Sequence, residues 1–273
     1  MIKDVVEKLV ARTAFEIRDD VRRLLDDAYA GEQDAAARQA LEWIRQNSDI
    51  ASVQKLALCQ DTGLPVVFLR VGQGVSVDTG FIDDIRNSVS GAYEKFYLRA
   101  SAVDPLTRAN NGYDGVIVHT EFDPSQQGIR ITLLAKGFGS ENKTQLKMFN
   151  PTVDYAQIEE FVVNAVKDAG PEACPPFVVG VGIGGTSDHA LLMAKEAYLN
   201  DLCLMDERER ALLKKINDLK IGPMGRGGNT TALALKIRTA KTHIAGLPVG
   251  VNINCWACRS ASALLQSNGT IEQ

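Results

Sequence analysis

No stretch of this 273-residue chain is apolar for the roughly 20 residues that a membrane-spanning helix requires. No cluster of Lys and Arg marks a nucleic-acid footprint, and the net charge is −4. The first residues, MIKDVVEKLVARTAFEIRDDVRRL, carry acids throughout and have no cleavable apolar core, so a secretory leader is not expected. A cytoplasmic location follows as the default. Internal repeats, low-complexity linkers and a Gly-x-x-x-x-Gly-Lys-Ser/Thr phosphate loop are all missing. Cysteine is scarce and odd in number: Cys59, Cys174, Cys203, Cys255 and Cys258. That count excludes a simple disulfide framework and leaves reduced core residues, metal ligands or nucleophiles.

What is present is the composition of an ordinary globular protein. Hydrophobic residues make up 45% and charged residues 23%, enough apolar surface to bury a proper core. The length suits one large domain or two modest ones; the expectation is a single domain over 1–273 with a helical part over about 1–50. Val5, Val6, Leu9, Val10, Phe15, Val21, Leu24 and Leu25 recur at helical spacing and predict a helix over 2–29. A second amphipathic helix is predicted over 33–46. A strand over 64–71 follows, then a helix opened by Asp78-Thr79-Gly80 and running to about Arg99. Residues 115–122 and 128–136 read as paired strands, with turn residues between Asp123 and Gly128 and a polar loop over 137–143 beyond them. Helices are expected over 154–168, 189–200 and 206–218, and another from Thr230. Strands are expected over 177–182 and 247–253. Strict βαβ alternation is missing, so the fold class reads as α+β, with mixed or antiparallel sheets, packed helices and an N-terminal helical segment.

The cysteines carry the most chemistry. Cys59 opens Cys59-Gln60-Asp61-Thr62-Gly63, Cys174 lies in Ala173-Cys174-Pro175-Pro176, and Cys255 begins Cys255-Trp256-Ala257-Cys258-Arg259. Each sits in a loop-like setting beside polar, Gly or Pro residues. Three thiolates that converge can hold an iron–sulfur cluster and leave one iron open as a Lewis acid. Cys255 and Cys258 also read as a redox pair or half of a zinc site, although the second pair usual in a structural zinc site is missing. Cys203, in Asp201-Leu202-Cys203-Leu204-Met205, reads as a packing residue.

Two glycine-rich segments invite two readings each. Gly180-Val181-Gly182-Ile183-Gly184-Gly185 and Gly225-Arg226-Gly227-Gly228-Asn229-Thr230 either bind an anion through backbone amides or form tight turns and close packing. The first is not a dinucleotide fingerprint, because no acid follows at the expected distance. His243, before the strand over 247–253, is either structural or the best-placed group titrating near neutral pH. His189 and His119 read as structural. Asp61 and Arg99 are, on the residues alone, a turn aspartate and a helix-end cation.

Taken together and in this order, Cys59–Gly63, Ala135–Lys143, Gly180–Thr186, Gly222–Thr230 and Asn254–Arg259 are more specific than any one of them. The chain resembles the class I, iron–sulfur-dependent fumarate hydratase and L-tartrate dehydratase family, in its α subunit or N-terminal catalytic domain, over about residues 10–265. The resemblance implies a hydro-lyase of the tricarboxylic acid cycle with a [4Fe–4S] cluster on Cys59, Cys174 and Cys255, and Cys258 as a neighbour. It implies that Gln60, Asp61, Arg99 and Gly139 contact a small dicarboxylate. Asp61 and His243 become candidates for moving protons. The family's remaining active-site residues belong to a β subunit or C-terminal domain, so an αβ heteromer is expected. Hydration of fumarate to L-malate is the reaction implied, and dehydration of L(+)-tartrate to oxaloacetate is the alternative.

Overall fold

The computed structural model describes residues 2–266 and 271–272. Its first half holds helices α1 (Ile2–Phe15), α2 (Asp19–Gly31) and α3 (Ala35–Gln54), strand β1 (Leu64–Gln73), helix α4 (Thr79–Lys95) and strands β2 (Ala102–Val103), β3 (Asn110–Gly112), β4 (Ile117–Gln127) and β5 (Ile129–Lys136). Then come α5 (Phe138–Glu141), β6 (Gln145–Phe149), α6 (Tyr155–Ala169), β7 (Phe177–Gly185), α7 (Ser187–Ala197) and α8 (Glu207–Asn217). Strands β8 (Ala232–Thr242), β9 (Leu247–Asn254), β10 (Ser260–Leu265) and β11 (Ile271–Glu272) complete it. Helices and sheets of mixed strand direction make the chain α+β, as the sequence predicts. Among the described residues no helix is long and apolar enough to cross a membrane.

The chain divides into two compact units, each built from separated segments. Unit 1 comprises 1–18, 48–137 and 259–273; unit 2 comprises 19–47 and 138–258.

Unit 1 is a five-stranded sheet in the order β11-β10-β5-β1-β4. Val67 and Leu69 of β1, Ile131 and Leu133 of β5, and Ala261 and Ala263 of β10 meet Val5, Leu9 and Val10 of α1 and Ile85 and Val89 of α4 in one core. Alternate residues of each strand face this core because side chains alternate along a strand. The Asp78 side chain caps α4 by accepting the Phe81 amide at 2.8 Å, an interaction worth about 1 kcal/mol.

Unit 2 is a four-stranded sheet in the order β6-β9-β7-β8, with α7 on one face and α6 and α8 on the other. Phe177, Val179 and Val181 of β7, with Val249, Val251 and Ile253 of β9, pack on α6 and α8. The residues between them, Gly180, Gly182 and Gly250, face α7. Capping boxes at Asp154/Gln157 and Asp206/Glu209 start α6 and α8.

Several predicted elements differ. The helix predicted over 2–29 is two helices that break at Glu16–Arg18, where the Arg18 guanidinium donates to Ser260 Oγ at 3.0 Å. The helix predicted over 33–46 starts at Ala35, capped by the Asp34 carboxylate, and continues to Gln54. The helix predicted to reach Arg99 stops at Lys95. The expected hairpin of 115–122 with 128–136 is absent: β1 lies between β4 and β5, parallel to the first and antiparallel to the second. The helix expected from Thr230 is strand β8, parallel to β7. His243 therefore follows a strand rather than a helix, and the strand that delivers Cys255 is followed by two more.

The Gly180–Gly185 segment takes the packing reading. A Cβ on Gly180 would stand 1.9 Å from Ala194 O, and one on Gly182 2.0 Å from Ala190 O. The α7 backbone rests directly on β7. Gly180→Ala should therefore cost about 3 kcal/mol or more, at the upper end of overpacking effects. Chemical denaturation checks this, and an unchanged midpoint would mean that α7 can back away from β7 freely.

Candidate functional site

Cys59 lies in the irregular segment between α3 and β1, anchored by the buried Leu58, whose amide donates to Ala14 O at 2.9 Å. Cys59 is half-buried and its Sγ lies 3.5 Å from Gln60 Oε1. Asp61 Oδ1 accepts the Gly63 amide at 3.0 Å, closing an Asx turn. Gly63 has φ +83°, and a Cβ there would come within 2.7 Å of the Ala135 carbonyl carbon. This close approach is why the turn ends in glycine.

Thr62 joins the turn to the segment after α4. Its Oγ1 accepts the Arg99 amide at 2.9 Å, and its carbonyl accepts the Tyr93 hydroxyl at 3.4 Å. Arg99 is exposed and lines a small, open depression together with Gly63, Leu64, Tyr93, Ser101 and Tyr113. Gly137 shows where the Asp61 carboxylate points. A Cβ on it would lie 3.3 Å from both Asp61 Oδ2 and Arg259 Nη2. Arg259 is buried. Burial pushes the Tyr93 phenol well up, with Arg259 opposing the shift and Asp61 adding to it. Asp61, Arg259 and Tyr93 thus form one electrostatic group in unit 1.

In unit 2, the turns that carry Cys174 and Cys255 are tied to each other, and Gly139 lies near the Cys174 turn. Cys174 ends a 3-10 turn (Gly170–Ala173) in the left-handed region, φ 57°, and is exposed. Its carbonyl accepts the Trp256 amide at 3.4 Å, which ties the Cys174 turn to the Cys255 turn. Cys255 is half-buried just past β9, and the Cys258 amide bonds back to the Cys255 carbonyl at 3.2 Å. Cys258 is fully buried, with Asn254 Nδ2 3.9 Å from its Sγ. Gly139 is exposed on α5, and the nearest atom to a Cβ there would be Glu172 O at 4.0 Å. The Lys143 ammonium holds the Glu172 carboxyl below its usual range through a 2.6 Å bond.

His243 stands apart from these cysteines, on the exposed turn between β8 and β9. Its Nδ1 accepts the Ala245 amide at 3.1 Å, so the neutral ring carries its proton on Nε2. Cys255 lies at the other end of β9, about 23 Å away along an extended strand at ~3.3 Å per residue. Cys203 packs as expected near the start of α2, its Sγ 3.8 Å from Asp20 O, and burial raises its thiol.

The sequence does not single out Arg259, Thr62 and Tyr93, which the structure places around the Asp61 turn. The available signal for Arg259 was its place directly after the second cysteine of Cys-x-x-Cys. Lys136 is 1% exposed, which a lysine at a strand end does not announce. Among the described residues no group of three or more His, Cys, Asp or Glu is gathered closely enough to hold a metal ion.

Comparison with known proteins gives consistent matches. The chain matches the family described as "Fumarate hydratase (Fumerase)" over residues 3–264. It is 41% identical to a Methanocaldococcus jannaschii protein named "Putative L(+)-tartrate dehydratase subunit alpha", over 95% of this chain and 96% of that one. It is 26% identical to the L(+)-tartrate dehydratase subunit alpha of Escherichia coli strain K12, over 99% and 93% respectively. With a Geobacillus stearothermophilus protein named "Putative fumarate hydratase class I" it shares 28% identity over 96% of its own length but only 54% of the other's.

The Thr62 bond makes a direct prediction. Thr62→Val keeps the shape and removes the acceptor for the Arg99 amide, so it should cost about 1 kcal/mol. Thr62→Ser keeps the acceptor and should stay within about 0.5 kcal/mol of the parent. Paired denaturation curves separate the two, and equal losses would mean that the methyl group, not the bond, matters.

Proposed function

Because this chain belongs to the fumarate hydratase family of hydro-lyases, we propose that it is the α subunit of an iron–sulfur enzyme that adds water reversibly to fumarate to give L-malate. The observation that supports this reading most is the Trp256–Cys174 backbone bond, which ties the turns that carry Cys174 and Cys255 to each other. The donor chemistry fits the group. Iron–sulfur clusters take thiolates, and none of the five cysteines is in a disulfide. Cys59, Cys174 and Cys255 would hold a [4Fe–4S] cluster, with buried Cys258 as a neighbour. When bound, such a cluster supplies a Lewis acid for the oxygen that enters or leaves, which matters because hydroxide is a poor leaving group.

The chain's own residues bind and orient the diacid. Arg99 offers two parallel N–H donors to one carboxylate. The Gln60 amide hydrogen-bonds the substrate, and Gly139 lets it approach the backbone closely. Asp61 handles a proton at Oδ2, since Oδ1 is engaged by the Gly63 amide. His243 is the second proton-handling candidate, through Nε2, and because its turn stands apart from the cysteines of its own chain it would serve the site of a neighbouring copy. The base that takes the C3 proton is not assigned to this chain, because a β subunit can supply it. That partner is inferred from the names of the relatives and from the 54% of the class I protein that this chain spans. The assembly is then an αβ heteromer, or a dimer of such heteromers, in which residues 1–273 act as one catalytic domain. Five cysteines without a disulfide suit the reducing cytoplasm.

Tartrate dehydration is the second reading, favoured by the 41% identity to a protein named as its α subunit. Loss of water from tartrate gives the enol of oxaloacetate, so both reactions need the same carbon–oxygen cleavage.

The test is anaerobic reconstitution with iron and sulfide, with and without the β subunit, followed by assays on fumarate, malate and both tartrates. Activity is expected only in the reconstituted complex. Robust hydration of fumarate by the isolated, iron-free chain contradicts the proposal, and turnover of L(+)-tartrate alone moves it to the second reading. Cys59→Ser, Cys174→Ser and Cys255→Ser should each abolish activity and lower bound iron, while Cys203→Ser spares both. Arg99→Lys should raise KM about tenfold, since a lysine cannot make the paired contact.

A further inference from the structure

A buried hydrogen-bonded chain in unit 2 takes no part in the chemistry above. Asn252 is 0% exposed on β9, three residues before Cys255. Its Nδ2 donates to Glu141 Oε2 at 2.9 Å and to Thr144 Oγ1 at 2.8 Å. Its Oδ1 accepts the Tyr198 hydroxyl at 2.9 Å. Both amide hydrogens and the carbonyl are engaged, so turning the amide over would set oxygen against carboxylate. Glu141 Oε1 also pairs with Lys195 of α7. The space for this chain exists because Gly180, opposite Asn252 in the β7–β9 ladder, lacks a side chain. A Cβ there would stand 2.9 Å from Tyr198 Cδ1.

Glu141 is the last residue of α5, and Thr144 lies three residues beyond it. The Thr144 amide and hydroxyl both bond to Glu141 O, at 3.0 and 2.7 Å, closing the turn that follows the helix. Lys143, between them, bonds to Glu172 of the turn that ends at Cys174. α5 is thus fastened on one side to the strand that leads to Cys255, and on the other to the turn that carries Cys174. Gly139 sits in the middle of it.

We propose that Asn252 is a positioning residue, which holds α5 so that Gly139 meets the dicarboxylate at a set place beside Cys174 and Cys255. The substrate half of this statement rests on the reading of Gly139 given above; the structural half stands on the bonds alone. Asn252 touches no substrate and acts through Glu141 and Thr144.

Asn252→Asp keeps the size and replaces the donor with an acceptor facing the Glu141 carboxylate. Adding Glu141→Gln restores one donor and one acceptor with the direction reversed, while the Lys195 contact still has an oxygen to meet. Two readouts are needed. Hydrogen exchange on the full chain should show residues 138–144 exchanging about tenfold faster in Asn252→Asp, the size of one buried bond lost, with 177–185 unchanged. The double variant should return to the parent rate. In the reconstituted complex, the single variant should raise KM about tenfold and change kcat less than about twofold, with recovery in the double variant.

Unchanged exchange at 138–144, or an equal rise over 177–185, overturns the proposal whether or not the preparation turns over any diacid. Faster local exchange with an unaltered KM in an active complex overturns its substrate half. A parent complex that hydrates or dehydrates nothing counts against the proposed function, and the exchange data then still decide whether Asn252 holds α5.

Discussion

The arrangement of unit 2 depends on backbone lying against backbone. On one face of β7, Phe177, Val179 and Val181 fill a conventional apolar core with α6 and α8. On the other, Gly180 and Gly182, with Gly250 of β9, leave nothing standing between the sheet and α7. A helix seated so low brings Tyr198, just past its end, within reach of Asn252. The polar chain beneath α5 is a secondary effect of that contact. Van der Waals packing at this range falls off steeply, so a displacement of half an ångström is already costly.

Unit 1 solves a different problem. The residues proposed for its part of the site lie on connections at one end of β1 and after α4, where regular hydrogen bonding has stopped. They are held by side-chain bonds to backbone instead: Asp61 to the Gly63 amide, Thr62 to the Arg99 amide, Tyr93 to the Thr62 carbonyl. Such bonds fix a loop without burying it, which suits the proposed meeting of these residues with a charged ligand in water. The buried guanidinium of Arg259 adds a fixed positive charge next to the Asp61 carboxylate.

What the sequence shows of this depends on the range of the interaction. Local signals were legible: the Asp78, Asp154 and Asp206 caps, the Gly170 stop of α6 and the cysteine-bearing turns all announce themselves within a few residues. Long-range pairing was not. Asp123-Pro124-Ser125 looks like the turn of a hairpin, yet Gly128 bonds to Gly72 and Gln73 at the end of β1, so the chain wraps around that strand instead of pairing with itself. Ala232 to Arg238 is rich in helix formers, but its first four residues are wholly buried beside β7, and Glu209 accepts the Ile237 amide at the open edge. The cysteine trio and the Gln60-Asp61 pair stood out because their residue types are chemically unusual in loops. Asn252 did not, since an asparagine in a strand says nothing until its three partners are known.

Because β5 is flanked by β1 and β10, its outer edge stays open until Ser260–Leu265 has been made. All four strands of the β6-β9-β7-β8 sheet precede that segment in the chain. Unit 2 can therefore complete its sheet without β10, while the sheet of unit 1 keeps an exposed row of amides and carbonyls until β10 docks on β5. For the folding polypeptide the vulnerable interval lies between the exposure of β5 and the arrival of β10, and that is when a chaperone guarding a bare sheet edge would be useful.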